Sequence, residues 1–184
     1  MKRRPPPPGG LPPEIAAALP PVISPGGPWG TPPAYRPPTA EQAAALADVY
    51  ARLDAALAAD SDCCRACGQC CRFKPDGIVL FASALEMAYL VSRVGLPRAG
   101  TFVAGPPTAS PWCCPYQDGN LCGAREGRTL GCRTHFCREP GRTRGKGLHA
   151  DALYEIRRIA LVRGGQGWWY GPARVCLAAW VGAG

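Results

Sequence analysis

The chain has 184 residues, is 47% hydrophobic and carries a formal charge of +8, which suits one domain plus a tail and excludes a wholly disordered chain. No apolar run approaches the roughly 20 residues that a membrane-spanning helix needs. Lys2, Arg3 and Arg4 are followed by proline instead of an apolar stretch, so no secretory leader is read. The eleven cysteines are therefore expected in a reducing cytoplasm, where such a pattern serves metal binding or catalysis before disulfides.

Residues 1–38 hold 14 of the 22 prolines and few large apolar side chains. Burial there cannot offset the entropy of ordering, and the segment is expected as a disordered Pro/Gly-rich tail with polyproline character. Residues 39–184 form the expected domain, with a core motif at 63–137. The fold class expected is a small α-rich α+β domain with irregular loops, stapled by a cysteine-ligated metal cluster.

Thr39 and Gln42 form a capping box, and Leu46, Val49, Tyr50, Leu53 and Leu57 follow at helical spacing, so a helix is expected from Thr39 to about Asp60. Ile78, Val79 and Leu80 make a short extended run over 77–81 after the Pro75-Asp76-Gly77 turn. Ser83 and Glu86 form a second capping box. Its helix carries Leu85, Leu90, Val91 and Val94 and stops at Gly95 and Pro97. Residues 98–111 read as loop, and 138–147 show no periodicity. A third helix is expected over Asp151–Val162, ended by Gly164 and Gly165, and Trp168, Trp169, Tyr170 and Trp180 are expected to pack back onto the domain.

The chemistry lies in the cysteines. Cys64, Cys67, Cys70 and Cys71 form two interlocked C-x2-C steps ending in an adjacent pair. C-x2-C spacing lets two sulfurs reach one metal from a tight turn. Adjacent side chains point apart, so Cys70 and Cys71 suit two nearby metals or a multi-metal cluster. A second region supplies Cys114, Cys122, Cys132 and Cys137, with Gly119-Asn120 expected to fold Cys122 back toward Cys114. These eight are the expected ligands of zinc or iron. Cys64, Cys67 and Cys70 together with Cys114-Pro115 reproduce elements of iron–sulfur ferredoxins, which keeps an iron–sulfur cluster open beside zinc. Ligated cysteines are thiolates, so two four-thiolate zinc sites would reduce the formal charge to about +4.

The run Cys64–Cys71 resembles the CxxCxxCC motif of the YkgJ-type cysteine-cluster family, described as zinc- or iron-chelating domains. Cys114-Pro115-Tyr116, Cys122, Arg128-Thr129 and Cys132-Arg133 are similar to its second half, although Thr129 replaces the family's proline and Ala124-Arg125 its Ile-Tyr step. The resemblance spans about residues 60–140 and implies metal chelation. The flagellin lysine methylases look like distant bearers of the same motif, but no glycine-rich nucleotide loop supports methyl transfer here.

Cys63, Cys113 and Cys176 fall outside the ligand spacing and read as buried or spare thiols. His135 could replace Cys137 as a ligand or orient one, and His149 reads as a surface residue. Arg125, Arg128, Arg133, Arg138, Arg142, Arg144 and Lys146 form a basic run, read as charge balance for thiolates before a nucleic-acid surface. Asp118 and Glu126 form no acid/base pair. The function expected is metal handling, electron transfer or service as a partner subunit, with a redox or metal-delivery protein as the partner class and no membrane partner. A cluster-dependent redox enzyme is the alternative, recognisable by a pocket beside the metals lined by Arg128, Arg133 and Asp118. A zinc-stapled nucleic-acid module is a third, weaker reading.

Overall fold

The computed structural model describes residues 30–63, 67–71, 79–97, 114–162 and 167–181. In chain order these hold helix α1 (Ala40–Leu57), a 3-10 extension over Ala58–Cys63, a 3-10 turn at Gln69–Cys71, strand β1 (Phe81–Ser83) and helix α2 (Ala84–Val94). There follow β2 (Gln117–Asp118), β3 (Leu121–Cys122), a 3-10 turn at Arg125–Gly127, α3 (Leu130–Thr134), α4 (Gly141–Val162), β4 (Tyr170–Pro172) and α5 (Ala173–Val181). The described residues thus form a small α-rich α+β domain with two two-stranded sheets. No helix among the described residues is long and apolar enough to cross a membrane.

Both capping boxes form. Thr39 Oγ1 accepts from Gln42 N at 3.1 Å while Thr39 N donates to Gln42 Oε1 at 3.0 Å, and Ser83 and Glu86 repeat the arrangement. Each box fixes where its helix begins because it satisfies orphan N–H groups reciprocally. The first helix keeps α geometry to Leu57 and tightens to 3-10 through Cys63. The second ends at Gly95, whose φ of 79° only glycine adopts without strain.

β1 pairs antiparallel with β4, Ala82 opposite Gly171. Because the strands run antiparallel, this ribbon launches α2 from the end beside Trp169 and α5 from the end beside Leu80. Helix α2 then lies between two apolar cores. Met87, Leu90 and Val91 join Trp169, Cys176, Leu177 and Trp180 on one side. Leu85 and Tyr89 join Leu46, Leu53, Leu130, Ile156 and Ile159 on the other. Of the expected aromatic tail, Trp169 and Trp180 are buried and Trp168 stacks on Tyr170 at 5.9 Å.

Three expectations change. The third helix starts ten residues earlier than its periodicity suggests, at Gly141. Glycine disfavours helix intrinsically, but a Cβ at Gly145 would stand 2.0 Å from the carbonyl oxygen of Thr134, so glycine is what allows α4 to pack against α3. Glu139 caps the new start, accepting from Thr143 N at 3.1 Å. His149, expected at the surface, is half-buried on that extension with its Nδ1 2.9 Å from Thr134 Oγ1. The extended run expected over 77–81 appears as β1 at Phe81–Ser83, with 72–78 outside the described residues, as is the loop at 98–111.

Residues 30–38, expected as part of the tail, lie against α5, where Trp180 Nε1 donates to Pro33 O at 2.7 Å. The remainder of the tail, 1–29, lies outside the described residues.

Candidate metal centre

The two cysteine regions meet. Cys114 N donates to Cys71 O at 2.7 Å, and Gln117 Nε2 reaches Gly68 O at 3.3 Å. The β2–β3 hairpin turns at Gly119-Asn120 as expected, setting Gln117 opposite Cys122. Helix α3 brings in Cys132. Cys70 and Cys71 hydrogen-bond to each other, Cys71 lies within electrostatic reach of Cys114 and Cys132, and Cys132 within reach of Cys122 and Cys70. Five of the eight expected ligands therefore share one corner. Cys67 and Cys137 are exposed, and Cys64 lies outside the described residues. Cys63 is buried with its sulfur 3.6 Å from Glu139 O, and Cys176 is fully buried in the first core, so both sit apart as spare thiols; Cys113 lies outside the described residues.

Gly68 makes the junction possible. Its φ is 69°, and a Cβ there would meet Gln117 Nε2 at 2.6 Å and Asn120 Cα at 3.0 Å. Gly68→Ala should cost about 1–2 kcal/mol from the left-handed backbone alone and push the hairpin off the first cysteine turn. The expected result is a lower melting temperature with faster labelling of Cys70 and Cys71 by a thiol reagent. Unchanged labelling would count against the junction.

The electrostatics favour anionic sulfur at one member of the adjacent pair. The hydrogen bond from Cys71, with Arg128 nearby, holds the Cys70 thiol down to about 6, while the same bond and burial push Cys71 well up. Burial also raises Cys132, which the Thr129 hydroxyl, 3.5 Å from its sulfur, and Arg128 draw partly back.

A cavity of about 40 Å³ adjoins this corner, lined by Cys114, Cys122, Cys132 and Arg128 together with apolar residues such as Leu80 and Leu177. Such a volume exceeds what a single water requires. Arg128 Nε is buried with no hydrogen-bond partner among the described residues. Of the three pocket residues expected from sequence, only Arg128 lines the cavity. Asp118 is exposed on the hairpin. Arg133 is committed elsewhere: it pairs with Asp54, donates to Arg128 O at 2.8 Å and lies 4.1 Å over the Tyr50 ring. Much of the basic run is similarly engaged, Arg142 with Glu139 at 2.9 Å and Arg144 with Asp60 at 3.1 Å.

Sequence reasoning missed the part Glu86 plays beyond its own capping box. It is fully buried and accepts from Ser83 N at 2.8 Å, Ser83 Oγ at 2.9 Å, Tyr50 OH at 3.2 Å and Leu130 N at 2.7 Å. The last bond caps α3, whose N-cap Thr129 makes no side-chain cap. Glu86 thus fixes the start of the helix that carries Cys132. The available signal was a glutamate between Leu85 and Met87 in the stretch Ala84–Val91, where every other residue is hydrophobic.

As placed, no three Cys, His, Asp or Glu side chains among the described residues are grouped so as to hold one ion. By donor chemistry the corner still suits a soft or borderline metal, because cysteine sulfur dominates it. No family model matches the chain, and no curated protein or solved structure matches it either. The resemblance to the YkgJ-type family therefore rests on the cysteine-bearing residues quoted above.

Proposed function

We propose that this chain is a cytoplasmic metal-binding protein that chelates zinc or iron, the latter as an iron–sulfur cluster in one form, and serves in metal handling or electron transfer or as a partner subunit. The observation that supports this most is the meeting of Cys70, Cys71, Cys114, Cys122 and Cys132, drawn from segments more than forty residues apart, at one corner joined by the Cys71–Cys114 backbone bond. Cys64, Cys67 and Cys137 complete the proposed ligand set. The chemistry supplied by a bound ion is that of a thiolate-held metal: a structural tie for zinc, a one-electron centre for an iron–sulfur cluster.

Metal analysis with absorption spectra of protein purified without oxygen tests this. Stoichiometric zinc or iron is expected, with visible absorption in the iron case. Well-folded protein without either metal would end the proposal.

A second reading, a cluster-dependent redox enzyme, is favoured by the cavity beside Cys114, Cys122 and Cys132, because closed structural sites need no adjoining space. An iron–sulfur spectrum that changes on adding a small ligand would favour this reading. Arg133, Arg142 and Arg144 pair with carboxylates, which withdraws them from a nucleic-acid surface.

A further inference from the structure

The segment 30–39 has neither helix, strand nor turn, and its side chains alternate in a telling way. Pro32, Pro33, Tyr35 and Pro38 are half-buried, whereas Thr31, Ala34, Arg36 and Pro37 are exposed. Pro32, Tyr35 and Pro38 recur every third residue, the period of a polyproline II helix, which puts them on one face. Its central residue, Tyr35, meets α5. Tyr35 packs on the first core with its ring 5.1 Å from that of Trp180 at a 59° tilt, and the Trp180 indole N–H donates to Pro33 O at 2.7 Å. An aromatic side chain that offers an N–H to a proline-rich backbone, with neighbouring rings filling the spaces between prolines, is how folded modules read polyproline ligands.

We infer that the α5 face around Trp180 is a docking surface for proline-rich extended peptides, occupied in cis by Thr31–Pro38, and that its partner in trans is a proline-rich segment of another protein with the same Pro-Pro-x-aromatic spacing. The bond to Trp180 uses a main-chain carbonyl, which any peptide of that shape presents. The cis segment is half-buried at best and is tied to the domain at one end by Thr39, the cap of α1. A trans peptide of matching spacing can therefore displace it. This inference is independent of the metal proposal.

The full chain labelled with 5-fluorotryptophan tests it, with the Trp180 resonance assigned by Trp180→Phe and a synthetic peptide of residues 30–38 as the probe. The wild type should respond only at high peptide, because the tethered segment acts at an effective concentration on the order of millimolar. Tyr35→Ala, which weakens the cis contact, should shift at least about tenfold lower in peptide. Adding Trp180→Phe to Tyr35→Ala, followed by peptide anisotropy, should weaken binding about tenfold through loss of one hydrogen bond. If Tyr35→Ala does not fold, Pro32→Ala provides the same comparison. No response of a folded weakened variant at several-fold molar excess over that range overturns the inference, as does an equal response to a peptide with Pro33 and Tyr35 both replaced by alanine. A dimer that Tyr35→Ala dissolves would assign the surface to a second copy and overturn the separate partner.

Discussion

Glu86→Ala is expected to lower stability by about 3–4 kcal/mol, which for a chain of this size lowers the melting temperature by about 10 °C. The substitution removes one acceptor group and strands four donors, two of them backbone N–H groups that cannot turn elsewhere. Leu130 N has no alternative cap, so the start of α3 should fray and Cys132 with it. The variant should therefore retain less metal as well as melt earlier. Glu86→Gln keeps the shape but sets an amide N–H₂ against a donor on one side, and should cost about 1–2 kcal/mol. Burial outweighs the four donors and holds the Glu86 carboxyl above its ordinary 4.5. The folded chain therefore binds this proton more tightly than the unfolded chain. Its contribution is greatest below about pH 4.5 and declines as pH rises from there to the raised folded value. Glu86→Gln should remove that decline from a plot of stability against pH. Urea melts between pH 4 and 8 would read it, and an unchanged slope in the glutamine variant would place the titration elsewhere.

Chelation is expected to produce the other large effect. Structural zinc contributes on the order of 10 kcal/mol in small peptides, equivalent to a drop in melting temperature of about 20 °C or more here. A domain stapled only by its metal would unfold over 63–137 when the metal is stripped, with the helix from Thr39 persisting in part. Two apolar cores that bury Leu46, Leu85, Met87, Leu130 and Ile156 almost completely change that expectation. Below its new melting point the stripped chain should keep most of its far-ultraviolet helical signal while the corner at 67–71 and 114–122 becomes open to proteases and thiol reagents. Cys132→Ser should resemble chelation. Cys176→Ser should leave metal content unchanged, yet it is not a mild substitution. It buries a hydroxyl at a fully enclosed apolar position, at a cost of about 1–3 kcal/mol. Small and equal effects of both substitutions, with no response to chelator, would show that the cysteine corner contributes little to the fold.

These cases show where the sequence speaks. α1 and α2 were legible because Thr39-Gln42 and Ser83-Glu86 satisfy their helix starts within four residues, with no help from distant parts of the chain. The first half of α4 was not, because Gly141, Gly145 and Gly147 argue against helix locally and the stabilising contact, Gly145 against Thr134, is tertiary. The convergence of the two cysteine regions followed from the ligand spacing and the Gly119-Asn120 turn. The exposure of Cys67 and Cys137, the diversion of Arg133 to Asp54 and Tyr50, and the bond from Leu130 to Glu86 depend on how α1, α2 and α3 cross. No local pattern carries that information.

The ribbon between Phe81–Ser83 and Tyr170–Pro172 joins stretches roughly 90 residues apart. A ribosome adding 5–20 residues each second takes on the order of 10 s to cover that interval. Throughout it the nascent chain holds one strand of the ribbon without its mate, and the side of α2 bearing Met87, Leu90 and Val91 waits for Trp169, Leu177 and Trp180 to be synthesised. The amino-terminal half should therefore be a client of chaperones that bind apolar helices during translation. Ribosome-bound chains halted before residue 170 should crosslink to such chaperones, and chains released past residue 181 should not.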